Sequence, residues 1–89
     1  MTNKFLVNEE HIKQWICSYL SDNLELGVQD IDHDTAFYRF GLDSAALIGM
    51  VGDFEDAFDI EIDPTMVIDY PTINKLAEAI MMEQRADYS

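Results

Sequence analysis

The sequence predicts an all-α domain, a small four-helix bundle with three main helices and one short one. Three observations carry this reading. Apolar residues in every long segment return three or four positions apart, the spacing of one helix face. No segment alternates strongly enough to argue for a sheet. Capping residues and prolines punctuate the intervals between the periodic stretches.

The first helix is expected over Val7 to Leu20, where Ile12, Trp15, Ile16, Tyr19 and Leu20 draw one stripe. Asn8 can cap it, and Glu9 and Glu10 suit the positive end of the helix dipole. Trp15 reads as core, and Cys17 as a small, partly buried neighbour of the stripe. From Ser21 to Gly41 the periodicity weakens. This stretch reads as a long loop pinned by Leu24, Leu26, Val28, Ile31 and Phe37, with a short helical turn near Asp34 to Phe40. Such length inside a compact domain is unusual unless the loop has a function.

The second helix is expected over Ser44 to Phe58, with Leu47, Met50, Val51, Phe54 and Phe58 on one side and Ile48 and Ala57 flanking. Gly49 and Gly52 each cost about 1 kcal/mol relative to alanine in a helix interior. Close approach of a neighbouring helix or of a partner would be a reason to keep them. Asp63 and Pro64 read as cap and first residue of a short helix with Met66, Val67 and Ile68 on its apolar side. The short runs Ile60-Glu61-Ile62 and Met66-Val67-Ile68 are where a strand competes. Pro71 ends the short helix at Tyr70. Thr72 then caps a last helix from Ile73 to about Glu83, with Ile73, Leu76, Ala77, Ile80 and Met81 as its stripe and a frayed tail at Ala86 to Ser89.

Composition narrows function. At 89 residues the chain forms one domain with little core to spare for a deep catalytic pocket. Its formal charge is −13, from 18 acidic and 5 basic residues. That field repels nucleic acid and anionic membranes and favours basic protein surfaces. A single cysteine forms no internal disulfide, the first residues lack the apolar run of a signal peptide, and no stretch is long enough to span a bilayer. A cytoplasmic monomer is the expectation. Asp30, Asp32 and Asp34 lack the glycine and twelfth-position glutamate of a calcium loop, so no metal site is expected.

Ser44 is the residue that invites chemistry. It follows Gly41-Leu42-Asp43 and opens an amphipathic helix. One reading is a helix cap, for which Asp43 competes. A second is a hydrolytic nucleophile, which needs a general base. Neither His11 nor His33 has a spacing that argues for pairing with it, and the flanking glycines of a hydrolase elbow are missing. A third is covalent modification, because a helix start favours a phosphate. Local chemistry does not choose the adduct.

The longer pattern does. Gly41-Leu42-Asp43-Ser44 resembles the 4'-phosphopantetheine attachment motif of acyl carrier proteins, particularly those of polyketide synthases. Ile48, Met50, Phe54, Glu55 and Phe58 follow that family's second helix, and Ile68-Asp69-Tyr70-Pro71-Thr72 its short-helix ending. Asp34 to Phe40 looks like the approach to the modified serine. The resemblance covers roughly residues 8 to 84, taken as the structured core of a single carrier domain. It implies a four-helix carrier fold, with a phosphopantetheinyl transferase moving the arm from coenzyme A onto Ser44 and Asp43 helping that enzyme. The chain itself would catalyse nothing. It would hold acyl groups as thioesters for an acyl-adenylate ligase, acyltransferase or ketosynthase. The implied docking face comprises Leu42, Ala45, Ile48, Gly49, Asp53, Glu55, Asp56, Met66 and Val67.

Further acidic residues, Asp59, Glu61, Asp63 and Asp69, follow with no Lys or Arg among them, which suits steering toward basic partners. The sequence departs from the family where leucine usually follows the serine, here Ala45, and where glutamate is usual, here Gly49. The Ser-Ala-Ala run resembles carriers loaded by fatty acyl-adenylate ligases, and Leu42-Asp43 points away from peptidyl carriers. The tryptophan of a beta-branching subtype is missing from the second helix. An unmodified helical interaction module is the alternative.

Overall fold

The computed structural model describes residues 8–86. Among them, helices α1 (Glu9–Leu24), α2 (Ser44–Phe58), α3 (Met66–Asp69) and α4 (Ile73–Ala86) are joined by irregular segments, with two 3-10 turns at Val28–Asp30 and Phe37–Phe40 and no strand. The all-α expectation of three main helices and a short one holds.

Asn8 caps α1, its Oδ1 accepting the His11 N–H at 2.8 Å. Val7 lies outside the described residues. The helix runs one turn past Leu20, to Leu24. Leu24 follows Leu20 by four positions and packs against the core, so the stripe continues where the sequence suggested a loop. Glu25, in the left-handed region at φ 57°, closes the helix with its N–H on the Ser21 carbonyl. Ile12, Ile16 and Leu20 face inward, and α1 packs along α4.

Trp15 is half-buried at the edge of the core, stacked on Tyr19 at 5.2 Å and edge-on to Phe54 and Phe58. Cys17 is buried, its Sγ 3.7 Å from the Val28 carbonyl, and burial pushes its thiol pKa up.

The long loop is anchored by fewer residues than its composition suggested. Ile31 and Phe37 are buried and Leu24 belongs to α1, but Leu26 and Val28 are exposed. The Val28–Asp30 turn points Val28 outward, and main-chain bonds hold this part instead. The Phe37 N–H donates to the Pro71 carbonyl at 2.7 Å, and the Asn74 N–H to the His33 carbonyl at 3.1 Å. Asn74 Nδ2 reaches Asp34 Oδ1 at 2.6 Å.

In α2 the buried face is Met50, Val51 and Phe54, with Leu47 and Phe58 at its edges. Asp59 ends the helix at φ 57°, its N–H on the Glu55 carbonyl. The run Ile60-Glu61-Ile62 is irregular, held by Ile62 N–H donating to Glu55 Oε2 at 2.9 Å. Pro64 falls in a turn before α3 rather than at its first position. Asp63 Oδ1 accepts from both Thr65 N–H and Thr65 Oγ1–H at 2.9 Å, which closes a tight turn first and delays the helix to Met66. These bonds favour the charged carboxylate and hold the Asp63 pKa below its ordinary value. Thr72 Oγ1 accepts the Lys75 N–H and starts α4, whose Ile73, Leu76, Ala77 and Ile80 are fully enclosed. The last helix continues to Ala86, because Gln84, Arg85 and Ala86 are all good helix formers. Residues 87–89 of the expected frayed tail lie outside the described residues.

Replacing Phe37 by alanine should destabilise the fold by about 3–5 kcal/mol, as truncation of a buried phenylalanine does. The neighbouring Tyr38→Ala, at a residue 71% exposed, should stay within about 0.5 kcal/mol. Denaturant unfolding of the pair checks both. Cys17 should resist iodoacetamide at neutral pH and react once denaturant opens the core, as alkylation monitored by mass would show.

Candidate functional site

The site forms where the long loop turns into α2. Gly41 lies at φ 83°, a region where a side chain is strained, and its N–H closes on the Tyr38 carbonyl. The chain then extends through Leu42 to Asp43. Asp43 is the cap, with Oδ1 accepting the Ala46 N–H at 2.9 Å and its carbonyl accepting the Leu47 N–H at 3.0 Å. Ser44 is therefore the first helical residue and is exposed. Of the readings open for this serine, the cap is the one that geometry removes. Its hydroxyl stands at a helix start whose first amides lack intrahelical acceptors, the end that attracts an anion.

Two hollows lie along α2, and Ser44 lines one of them. The smaller, about 70 Å³, lies between α2 and α3 and is walled by Ser44, Leu47, Ile48, Pro64, Val67 and Ile68 among others. The larger, about 300 Å³, opens between α1 and α2 beside Leu42 and Ala46. Another cleft of about 450 Å³ runs between α3 and α4, lined by Asp63, Asp69, Glu78 and Glu83, and does not include Ser44.

Neither histidine walls these hollows. His11 is bonded to Asn8 at the head of α1, and the His33 carbonyl serves the loop anchor. No group of three or more His, Cys, Asp or Glu is arranged to hold a metal among the described residues. Asp32 and Asp34 are engaged in loop hydrogen bonds, Asp32 with the Asp34 N–H and Asp34 with Asn74.

The expected docking residues divide. Ala45, Ile48, Gly49, Asp53 and Asp56 are exposed on α2, and Leu42 is half-buried beside them. Glu55 is turned toward the loop, holding Ile62. Met66 and Val67 are buried, so they shape the surface from beneath rather than present side chains to a partner. Ile68, 65% exposed, is the apolar residue that α3 offers outward, and it matches Ile48, 53% exposed, across the smaller hollow. Sequence periodicity missed this because a single turn gives too few repeats to fix which face is buried.

For Gly49 and Gly52 the structure removes one of the two expected reasons, a neighbouring helix. A Cβ added to either would meet nothing within 4 Å, so no neighbouring helix of this chain requires them. Tyr19, at the rim of the larger hollow, has its pKa raised by burial and then by Asp53 beside it.

A family profile described as "Phosphopantetheine attachment site" matches residues 14–80. The chain is 34% identical over 74 residues to acyl carrier protein TtuC of Teredinibacter turnerae, covering 83% of this chain and 85% of that one. It is 32% identical over 63 residues to polyketide synthase PksL of Bacillus subtilis, covering 71% of this chain and 1% of the synthase. Among solved structures, a free-standing peptidyl carrier protein from an Acinetobacter baumannii secondary metabolic pathway superposes with a TM-score of 0.77 at 34% identity. That match covers 86% of this chain and 96% of the other.

The division of roles at the helix start gives a pair of expected stabilities. Asp43→Ala should lower stability by about 1 kcal/mol through loss of the cap. Ser44→Ala should change it by no more than about 0.5 kcal/mol, as at an exposed position without a capping role. Gly49→Ala should raise it by up to about 1 kcal/mol, since nothing crowds the new methyl group. Thermal and denaturant unfolding of the three variants checks these values.

Proposed function

The chain belongs to the phosphopantetheine attachment-site family, a carrier domain related to acyl carrier proteins and polyketide synthase carriers rather than a catalyst, and from that premise we propose that Ser44 bears the arm. The observation that carries this is the cap. Because the Asp43 carboxylate holds the Ala46 amide, the Ser44 hydroxyl is exposed and free of that role. The residues present suit a phosphodiester, with the first amides of α2 beneath it and a helix dipole that favours its charge. When bound, the arm supplies a terminal thiol that holds an acyl group as a thioester.

Each neighbour has a separate task. Gly41 makes the turn that lifts Ser44 clear of the loop. Asp43 fixes the helix start and presents a carboxylate beside the hydroxyl to a phosphopantetheinyl transferase. Ala45, Ile48, Gly49, Asp53 and Asp56 offer an acidic, shallow face with Leu42 at its edge, and Ile68 extends it across α3.

Homology to carriers and polyketide synthases implies partner enzymes in general. We assign to this face an acyl-adenylate ligase, acyltransferase or ketosynthase with basic surroundings, working in polyketide or related biosynthesis. Charge complementarity speeds such encounters without making them tight, which suits a carrier that must leave each partner. Tethering then replaces free diffusion of the substrate with a high local concentration. The similar Acinetobacter protein is called a peptidyl carrier, whereas Leu42-Asp43 favours the acyl class for this chain. The cytoplasm supplies coenzyme A and is the proposed location. No helix of the described residues is long and apolar enough to cross a membrane.

Incubation with coenzyme A, magnesium and a broad-specificity phosphopantetheinyl transferase should add one phosphopantetheine, read by intact-protein mass spectrometry. Ser44→Ala, folded by circular dichroism, should gain none. A folded parent chain that stays unmodified, with its own host's transferase as well, would instead favour the interaction module.

A further inference from the structure

The outer face of α4 is left uncovered by the core. Ile73, Leu76, Ala77 and Ile80 are enclosed, whereas Met82, two positions beyond Ile80, is 63% exposed. Lys75, Glu78, Ala79 and Met82 recur three or four positions apart and so share that outer face. Beside it lies the part of α3 that turns away from Ser44. The single turn of α3 divides its residues. Val67 and Ile68 wall the hollow toward α2, whereas Met66 and Asp69 wall the cleft toward α4.

That cleft, about 450 Å³, joins apolar surface to facing carboxylates. Met66, Tyr70, Ala79 and Met82 supply the apolar part. Methionine side chains adapt readily to the shape of a guest. Asp63 and Asp69 stand on the α3 side and Glu78 and Glu83 on α4, with Lys75 as the one cation in the lining. None of these four acids is in an ion pair among the described residues. From Lys75 to Glu83 the helix runs about 12 Å, at about 1.5 Å per residue.

We infer that this cleft is a second docking surface, whose occupant is a basic amphipathic helix of a partner protein. An apolar stripe on the guest covers Tyr70, Ala79 and Met82. Lysines or arginines on both flanks of that stripe meet carboxylates on both sides of the cleft. A second copy of this chain does not fit, because it brings the same negative charge. A neutral helix would cover the apolar surface but leave the facing carboxylates without partners. None of Ser44, Ala45, Ile48, Asp53 or Asp56 lines the cleft, so a guest there leaves the Ser44 face open. The inference goes beyond the arm at Ser44 and does not depend on it.

The probe is an acetylated, amidated helical peptide of leucine, alanine and lysine, about four turns long, with lysines flanking one leucine stripe. It is titrated into the full chain at about 0.1 M salt, where charges more than about 10 Å apart are largely screened. Backbone NMR shifts should centre on Met66, Tyr70, Ala79, Met82 and Glu83. Glu78→Gln combined with Glu83→Gln should weaken binding about five-fold or more. Met82→Ser should weaken it too, and a peptide of equal charge without the leucines should bind several-fold less well. Glu10→Gln combined with Asp22→Asn removes the same charge from α1, outside the cleft, and should change binding less than about two-fold. Circular dichroism should show every variant folded. Phosphopantetheine transfer to Ser44, read by mass, should keep its rate when the peptide is saturating.

Shifts centred on Leu42, Ala45 and Ile48, or transfer that slows as the peptide binds, would put the guest on the Ser44 face and overturn the inference. Equal weakening in the α1 pair, the mark of attraction to net charge alone, would overturn it, as would the absence of any shift. If Ser44 gains no phosphopantetheine even without peptide, the carrier reading fails, and the shifts and variants still decide the cleft.

Discussion

The position of Ser44 depends on the clasp between the long loop and the start of α4. Three hydrogen bonds make it: Phe37 N–H to the Pro71 carbonyl, Asn74 N–H to the His33 carbonyl, and Asn74 Nδ2 to Asp34 Oδ1. The side-chain bond joins residues 40 positions apart, so it closes a large part of the chain on itself. Closing a loop of that length is entropically unfavourable, and the buried Phe37 ring offsets it from the core side. Two of the bonds are main-chain to main-chain and depend on no particular side chain. Everything between the clasp and α2 is short: one 3-10 turn, a left-handed glycine and a capping aspartate. Ser44 is thus fixed relative to α4 through a few stiff steps, even though it lies on the surface.

A second set of bonds fixes the other side of the site. Glu55 reaches from α2 to the Ile62 amide, and Asp63 folds its own turn before α3. These carboxylates face inward or bind locally. Asp53 and Asp56 remain exposed. One acidic stretch therefore divides into bonded and solvent-facing carboxylates, distinguished by which have found an amide. The sole ion pair among the described residues, Lys13 with Glu9, lies on α1 rather than on this face.

Much of this was legible in the sequence. The stripes of α1, α2 and α4 were long enough for their period to identify both the helix and its buried face. The caps at Asn8 and Thr72 were legible because those residue types bond locally. The choice between Asp43 and Ser44 was not, since either side chain can cap and only the backbone decides which stands outside the helix. Leu24 was lost to the loop because the residues after it break the period, although it completes the pattern begun at Leu20. Leu26 and Val28 carried the opposite hazard: apolar residues in an irregular segment look like anchors, and here hydrogen bonds do that work. For Met66, Val67 and Ile68, one helical turn is too short for periodicity to say which residues turn inward. The tetrapeptide Gly41-Leu42-Asp43-Ser44 was the most readable feature, because it is local and dense in glycine, aspartate and serine. The hollows were invisible, being products of how α1, α2 and α3 meet.

The burial of Cys17 has a chemical consequence for a carrier. Once the arm is in place, the molecule holds two sulfur atoms that could each form a thioester. An acyl group on one thiol can migrate to another by exchange if the second is accessible and ionised. Cys17 is enclosed by the core, with its proton retained by burial. The cargo therefore has no competing resting place on its own carrier. Its departure is left to the nucleophile that a docked partner brings.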